Sequence, residues 1–260
     1  MGILSTHRWD PRLIQLLGYR RPPSAGVIGV WLCQGGSDRV LCRARLERRE
    51  SQISKESEVN EIETFIRADR VLADVITRIP PDLMKQSLPT GFPTRDNSTY
   101  TYRQMLNYQA YDEAWIPDMM AGRTLDDVGQ DAHGGPLEND LLGTDPSGRF
   151  RDLVEKSIAS VRERSESELD TRTVHYTYGD YPLREALWHA IVFRTTRAFD
   201  YARAIGAGAV LPDDLVESVW AIVEPHAEEW RRIGVFGPAV QIEAQAPLQD
   251  RLMAITGRQP

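Results

Sequence analysis

An all-α fold is predicted for this 260-residue chain, and three observations predict it. Apolar residues recur at helical spacing over several long windows, each window is bounded by capping or breaking residues, and almost nothing alternates as a strand would. The composition, 41% hydrophobic and 27% charged, is that of an ordinary globular protein large enough to bury a substantial core.

The first 55 residues read differently from the rest. They carry RRPP at 20–23 and QGG at 34–36 without a sustained helical period, so they are expected to be a poorly ordered extension ahead of a helical domain at 56–260. Arg20 and Arg21 ahead of the apolar run 25–33 resemble the start of a signal peptide, but the run is short and no A-x-A-like site follows. A cytoplasmic location is therefore expected. No stretch is apolar for long enough to cross a bilayer, so no membrane partner is expected.

From Glu61 the helical pattern is clear. Ile62, Phe65, Ile66, Leu72, Ala73, Val75, Ile76 and Ile79 form a wide stripe that Pro80 and Pro81 stop. Asp69 falls inside that stripe, where a carboxylate needs a partner. A turn-rich connection leads to Ser98 or Thr99 as the cap of a second helix marked by Tyr102, Met105, Leu106, Ala110 and Trp115, which Pro117 is expected to bend or end. Residues 122–147 are acidic and Gly-rich and read as a long loop. A third helix starts near Ser147 with Phe150, Leu153, Val154, Ile158 and Val161 facing inward. Residues 174–178 suggest a short extended piece ahead of Gly179. Pro182 opens a fourth helix, expected over 183–205 with Gly206 closing it, and a fifth is expected over 212–233, followed by a short terminal helix.

Charge and cysteine usage narrow the function classes. The net charge is -7; the first 55 residues hold ten Arg/Lys against four Asp/Glu, which leaves about -13 for the remainder. An acidic body is a poor partner for phosphate backbones, so nucleic-acid binding is not expected. Both cysteines, Cys33 and Cys42, precede the helical region, so thiol chemistry in the body would need a bound small-molecule thiol. There is no phosphate-binding Gly-rich loop, no G-x-S-x-G elbow and no G-x-G-x-x-G.

Residues 193–206, FRTTRAFDYARAIG, resemble the helix E-x-x-x-H-x-W-D-L-A-R-A-x-G of the DinB-like superfamily and of its mycothiol-dependent maleylpyruvate isomerase branch. Asp200, Ala202, Arg203, Ala204 and Gly206 keep the tail of that motif, while its glutamate and histidine positions are Phe193 and Arg197. Four further segments fit in the family's order: 102–108, where the histidine position is Tyr108, then 121–128, 145–150 and 246–260. Together they span about residues 62–260.

The resemblance implies an up-down four-helix bundle with additional C-terminal helices, the 122–147 loop over its mouth, and pairing into a homodimer through helix faces. It also implies mycothiol as a cofactor, and the predominance of arginine over lysine fits the GC-rich, actinobacterial genomes in which mycothiol occurs. In the family, histidines and a glutamate on facing helices hold one ion with a position left open. Tyrosine, phenylalanine and arginine cannot replace that set, so the metal site is expected to be lost.

On helical geometry Ala186, Ala190, Phe193, Arg197 and Tyr201 share a face, which aims Arg197 inward toward Tyr108. Asp112 is the acceptor expected first for its guanidinium and Asp69 second. The candidate pocket is therefore Tyr108, Asp112, Phe193 and Arg197. Arg197 either anchors a small anionic or thiol ligand or only ties two helices together. Two alternatives stay open: an active isomerase or thiol transferase with relocated ligands, drawn from His133, His175, His189 and His226, and a non-catalytic structural bundle.

Overall fold

In a computed structural model the described residues are 59–94, 98–129, 132–135, 137 and 140–260. The chain divides into two units, Met1–Val59 and Asn60–Pro260; the extension expected over 1–55 lies outside the described residues. The second unit is mostly helical. Its elements are α1 (Glu61–Ile76), α2 (Tyr102–Met120), the single turn α3 (Leu125–Val128), α4 (Pro146–Arg162), β1 (Thr173–Tyr176), β2 (Gly179–Pro182), α5 (Leu183–Ala204), α6 (Asp213–Arg232) and α7 (Leu248–Ile255).

Local chemistry sets the helix starts. The Asn60 side chain accepts from the Glu63 amide at 2.9 Å and begins α1. A reciprocal capping box between Thr101 and Gln104 begins α2, two or three residues beyond the caps expected at Ser98 or Thr99. Asp145 caps α4 through the Gly148 amide at 3.0 Å; a Cβ at Gly148 would lie 2.2 Å from the Asp145 carboxylate, so a larger residue there must displace the cap. α5 ends at Ala204, and Gly206 turns away with φ +67.

Pro117 does not end its helix, and the expected extended piece ahead of Gly179 is present with a partner strand. α2 runs through Pro117 to Met120: proline removes one backbone donor, but buried Ile116 and Met120 keep that turn packed. The extended piece before Gly179 is one arm of an antiparallel hairpin, with His175 opposite Asp180 and their side chains 2.8 Å apart, so the fold carries a small two-stranded sheet beside its helices. The described residues contain no helix long and apolar enough to cross a membrane.

α1 packs along α5 and α4, α4 packs along α2, and α5 packs along α6. Phe65, Leu72, Ile76, Leu106, Phe150, Ile158, Leu187 and Ile191 are the core residues that α1, α2, α4 and α5 contribute, with almost no exposure. α2 and α5 approach less closely. Long side chains cross that seam: the Tyr102 hydroxyl donates to the Ala204 carbonyl at 2.8 Å, and Arg194 reaches Glu113.

Candidate functional site

Two arginines three residues apart on α5 organise the interior. Arg194, 3% exposed, donates from Nε to Asp69 at 2.7 Å and from Nη2 to Glu113 at 2.8 Å, and its guanidinium lies 4.7 Å from the Phe65 ring centroid. Ser157 donates to the other Asp69 oxygen at 3.2 Å. Asp69 is on α1, Glu113 on α2, Ser157 on α4 and Arg194 on α5, so one polar cluster joins four helices. Burial first, then the Glu113 charge, pushes Asp69 well above the usual carboxylate range against the pull of Arg194. Burial works against the Arg194 charge, but Glu113 and Asp69 more than offset it and keep the guanidinium cationic.

Arg197 is also buried, but its partners are not those expected of it. Its Nη1 donates to the Pro93 carbonyl and lies 3.6 Å from Asp200 one turn along α5. Its guanidinium packs on Phe92 and on Phe193, 5.4 and 5.1 Å from the ring centroids. Asp69, expected as its second acceptor, belongs to Arg194. Asp112, expected first, makes no hydrogen bond to it and interacts with it through space. Asp200 is held by Arg258 of the C-terminal segment through two bonds of 2.9 and 3.0 Å, so two segments of the motif resemblance meet in one ion pair.

Two polar atoms at and beside Arg197 lack partners. Among the described residues, Arg197 Nε and the Tyr201 hydroxyl are buried and hydrogen-bond to nothing. They lie one turn apart on one face of α5, and the Phe92 ring touches both side chains, 5.2 Å from the Tyr201 ring. Asp112 on α2 is half-buried and interacts electrostatically with Arg197 and Tyr201 without a hydrogen bond to either. Burial raises its carboxyl to about 7, with Arg194 and Arg197 pulling it down and Glu113 pushing it up. Burial also raises the Tyr201 hydroxyl far above its ordinary value, so it remains a proton donor. Tyr108, half-buried, stands one turn before Asp112 on α2, and half-buried Phe193 forms the floor under Arg197.

The other histidines are engaged elsewhere. His133 meets Asp118 at 2.8 Å and the Trp115 ring edge-on at 4.7 Å. His226 stacks on Trp230. His189 sits among Tyr176, Tyr178, Tyr181 and Trp230, with Nε2 4.0 Å from Glu185; burial, then His226, lowers it to about 4. Among the described residues no three His, Cys, Asp or Glu side chains are placed to hold one ion.

Two surface grooves lie away from Arg197. One of about 640 Å³ is lined by Asp140, Leu142, Asp145 and Arg149 at the start of α4. The other, about 440 Å³, is lined by Met84, Arg103, Asn107 and Asp140.

Sequence reasoning missed Arg194 and passed over Tyr201 as a site residue. The signal for Arg194 was present: Asp69 in the α1 stripe and Glu113 in register with Ile116 and Met120 put two carboxylates inside, and a cation on a facing helix must answer them. No family model, curated protein or solved structure matches this chain.

Proposed function

We propose that the second unit is a DinB-like up-down four-helix bundle in which a fixed guanidinium, Arg197, takes the place of the family's metal ion and binds a small anionic ligand. The observation that carries this reading is the pair of buried, unpartnered donors, Arg197 Nε and the Tyr201 hydroxyl, one turn apart. An unmet buried donor costs about 1–3 kcal/mol, so an acceptor from outside the chain is favoured. Tyr108 and Phe193, at two of the three metal-ligand positions of the motif, would line the same space. Any thiol chemistry here would use an exogenous thiol, with mycothiol suggested by the resemblance, because the chain has no cysteine beyond Cys42.

A second reading has its own support. Arg197 reaches the Pro93 carbonyl and lies beside Asp200, which suits a tie that pins the 89–94 segment to α5 and needs no ligand. Calorimetric titration with propionate and benzoate distinguishes the two. Binding by the wild type that weakens at least tenfold in Arg197→Gln and measurably in Tyr201→Phe supports the ligand site. Equal behaviour of all three proteins leaves the tie.

A further inference from the structure

We propose that Phe92 and Pro93 are a built-in occupant of the Arg197 site: the Phe92 ring and the Pro93 carbonyl stand where the ring and one oxygen of a small aromatic carboxylate would go, and the 89–94 segment is the lid which that ligand displaces. This rests on the reading of Arg197 as a ligand anchor.

The contacts at the site supply the argument. Its donors are closed off, Tyr201 at 0% and Arg197 at 8% exposure, so an anion reaches them only if a covering group moves. The Phe92 ring covers both: its centroid is 5.4 Å from the Arg197 guanidinium and 5.2 Å from the Tyr201 ring. The carbonyl of the next residue, Pro93, accepts from Arg197 Nη1. The chain thus lays an aromatic ring against a guanidinium and a phenol, and an oxygen on the same guanidinium. Benzoate carries the same two features, with a full charge where the peptide carbonyl has a dipole. Its second oxygen would meet the donors that Pro93 leaves without a partner, Arg197 Nε and the Tyr201 hydroxyl. An aliphatic acid as small as propionate has no ring to replace that of Phe92.

The segment is placed to leave. Pro89, Thr90, Gly91 and Pro93 are exposed, and Phe92 is half-buried. Behind it the chain is pinned at a neck, where Ser87 bridges Thr101 and the Leu88 amide donates to the Tyr100 carbonyl at 2.8 Å. Beyond the neck, the Phe92 amide donates to the Pro89 carbonyl at 3.0 Å and the Thr94 hydroxyl to the Ser98 carbonyl at 3.1 Å, both within the same loop. Among the described residues, the bond from Arg197 to Pro93 is the hydrogen bond that ties 89–94 to a helix. Gly91, at φ +86 with open space around it, leaves the turn free to swing about the neck.

The test is calorimetric titration of the full-length wild type, Phe92→Ala and Phe92→Ala/Arg197→Gln with benzoate and with propionate. The wild type should bind benzoate about tenfold more tightly than propionate. Phe92→Ala, freed of its own competing ring, should bind benzoate about tenfold more tightly than the wild type, and the double variant should lose that binding. Benzoate binding by Phe92→Ala that is equal to or weaker than that of the wild type, but still lost in the double variant, overturns the built-in occupant and leaves Arg197 as an anchor. Benzoate no tighter than propionate in both proteins overturns the ligand class. No binding of either acid by the wild type or Phe92→Ala overturns the anchor reading as well. In the wild type, benzoate should also speed amide hydrogen exchange at Thr90, Gly91, Phe92 and Thr94 by roughly threefold. Unchanged or slower exchange there overturns the lid, and this readout needs no variant to fold.

Discussion

Arg194 and Arg197 differ by three residues and by the work they do. Arg194 answers two buried carboxyls, so Arg194→Leu strands both and should cost about 3–5 kcal/mol. Arg197→Gln gives up a carbonyl contact and a shared carboxylate, and should cost only about 1 kcal/mol. Denaturant unfolding of the two variants checks this, and equal losses would contradict the assignment of the arginines. The pH dependence divides the same way. Asp112, near 7 when folded, binds more protons folded than unfolded between about pH 4 and 7. Its contribution to stability is present in acid and lost as pH rises through 7. His189, near 4 when folded against an ordinary 6.5, binds fewer protons folded. Its contribution is present above 6.5 and lost as pH falls toward 4. The two slopes oppose each other between about pH 4 and 6.5, so in Asp112→Asn unfolding midpoints should rise more steeply with pH over that window than in the wild type. An unchanged profile would mean that Asp112 is not held up by burial.

At the scale of elements, the helix spans were legible because periodic apolar stripes coincide with caps. α1, α4, α5 and α6 fall within a few residues of their expected limits. The start of α2 was displaced because several hydroxyl residues precede it, and only Thr101 has a glutamine three residues on to complete a capping box. Thr101→Ala should therefore cost about 1 kcal/mol, read from thermal unfolding, while Ser98→Ala should cost less. Gly148→Ala should lose a comparable amount by displacing the Asp145 cap. The hairpin was half legible, since four-residue strands give too short a period to show pairing. The site was legible as a face but not as contacts. Residues 194 and 197 are only about 60° apart around a helix, so spacing alone could not tell which arginine meets Asp69; the rotation of α5 within its packing decided it.

For the whole second unit, the C-terminal segment is tied back to α5 and α6 by arginines. Arg258 grips Asp200, Arg203 donates to the Gln259 carbonyl, and Arg231 reaches the Ile255 carbonyl at 2.8 Å. Arg258→Ala should destabilise the protein by about 1–3 kcal/mol and, by loosening Asp200, weaken anion binding at Arg197; chemical unfolding and the propionate titration read the two effects separately. The central proposal is that a guanidinium, Arg197, stands where the DinB-like motif that the sequence resembles has a metal ligand. Elemental analysis of the purified wild type beside an Arg197→His/Phe193→Glu/Tyr108→His triple variant tests it most directly. The account predicts no bound metal in the wild type and stoichiometric zinc or nickel in the variant; stoichiometric metal in the wild type would contradict it and move the site to His189, His226 and His133.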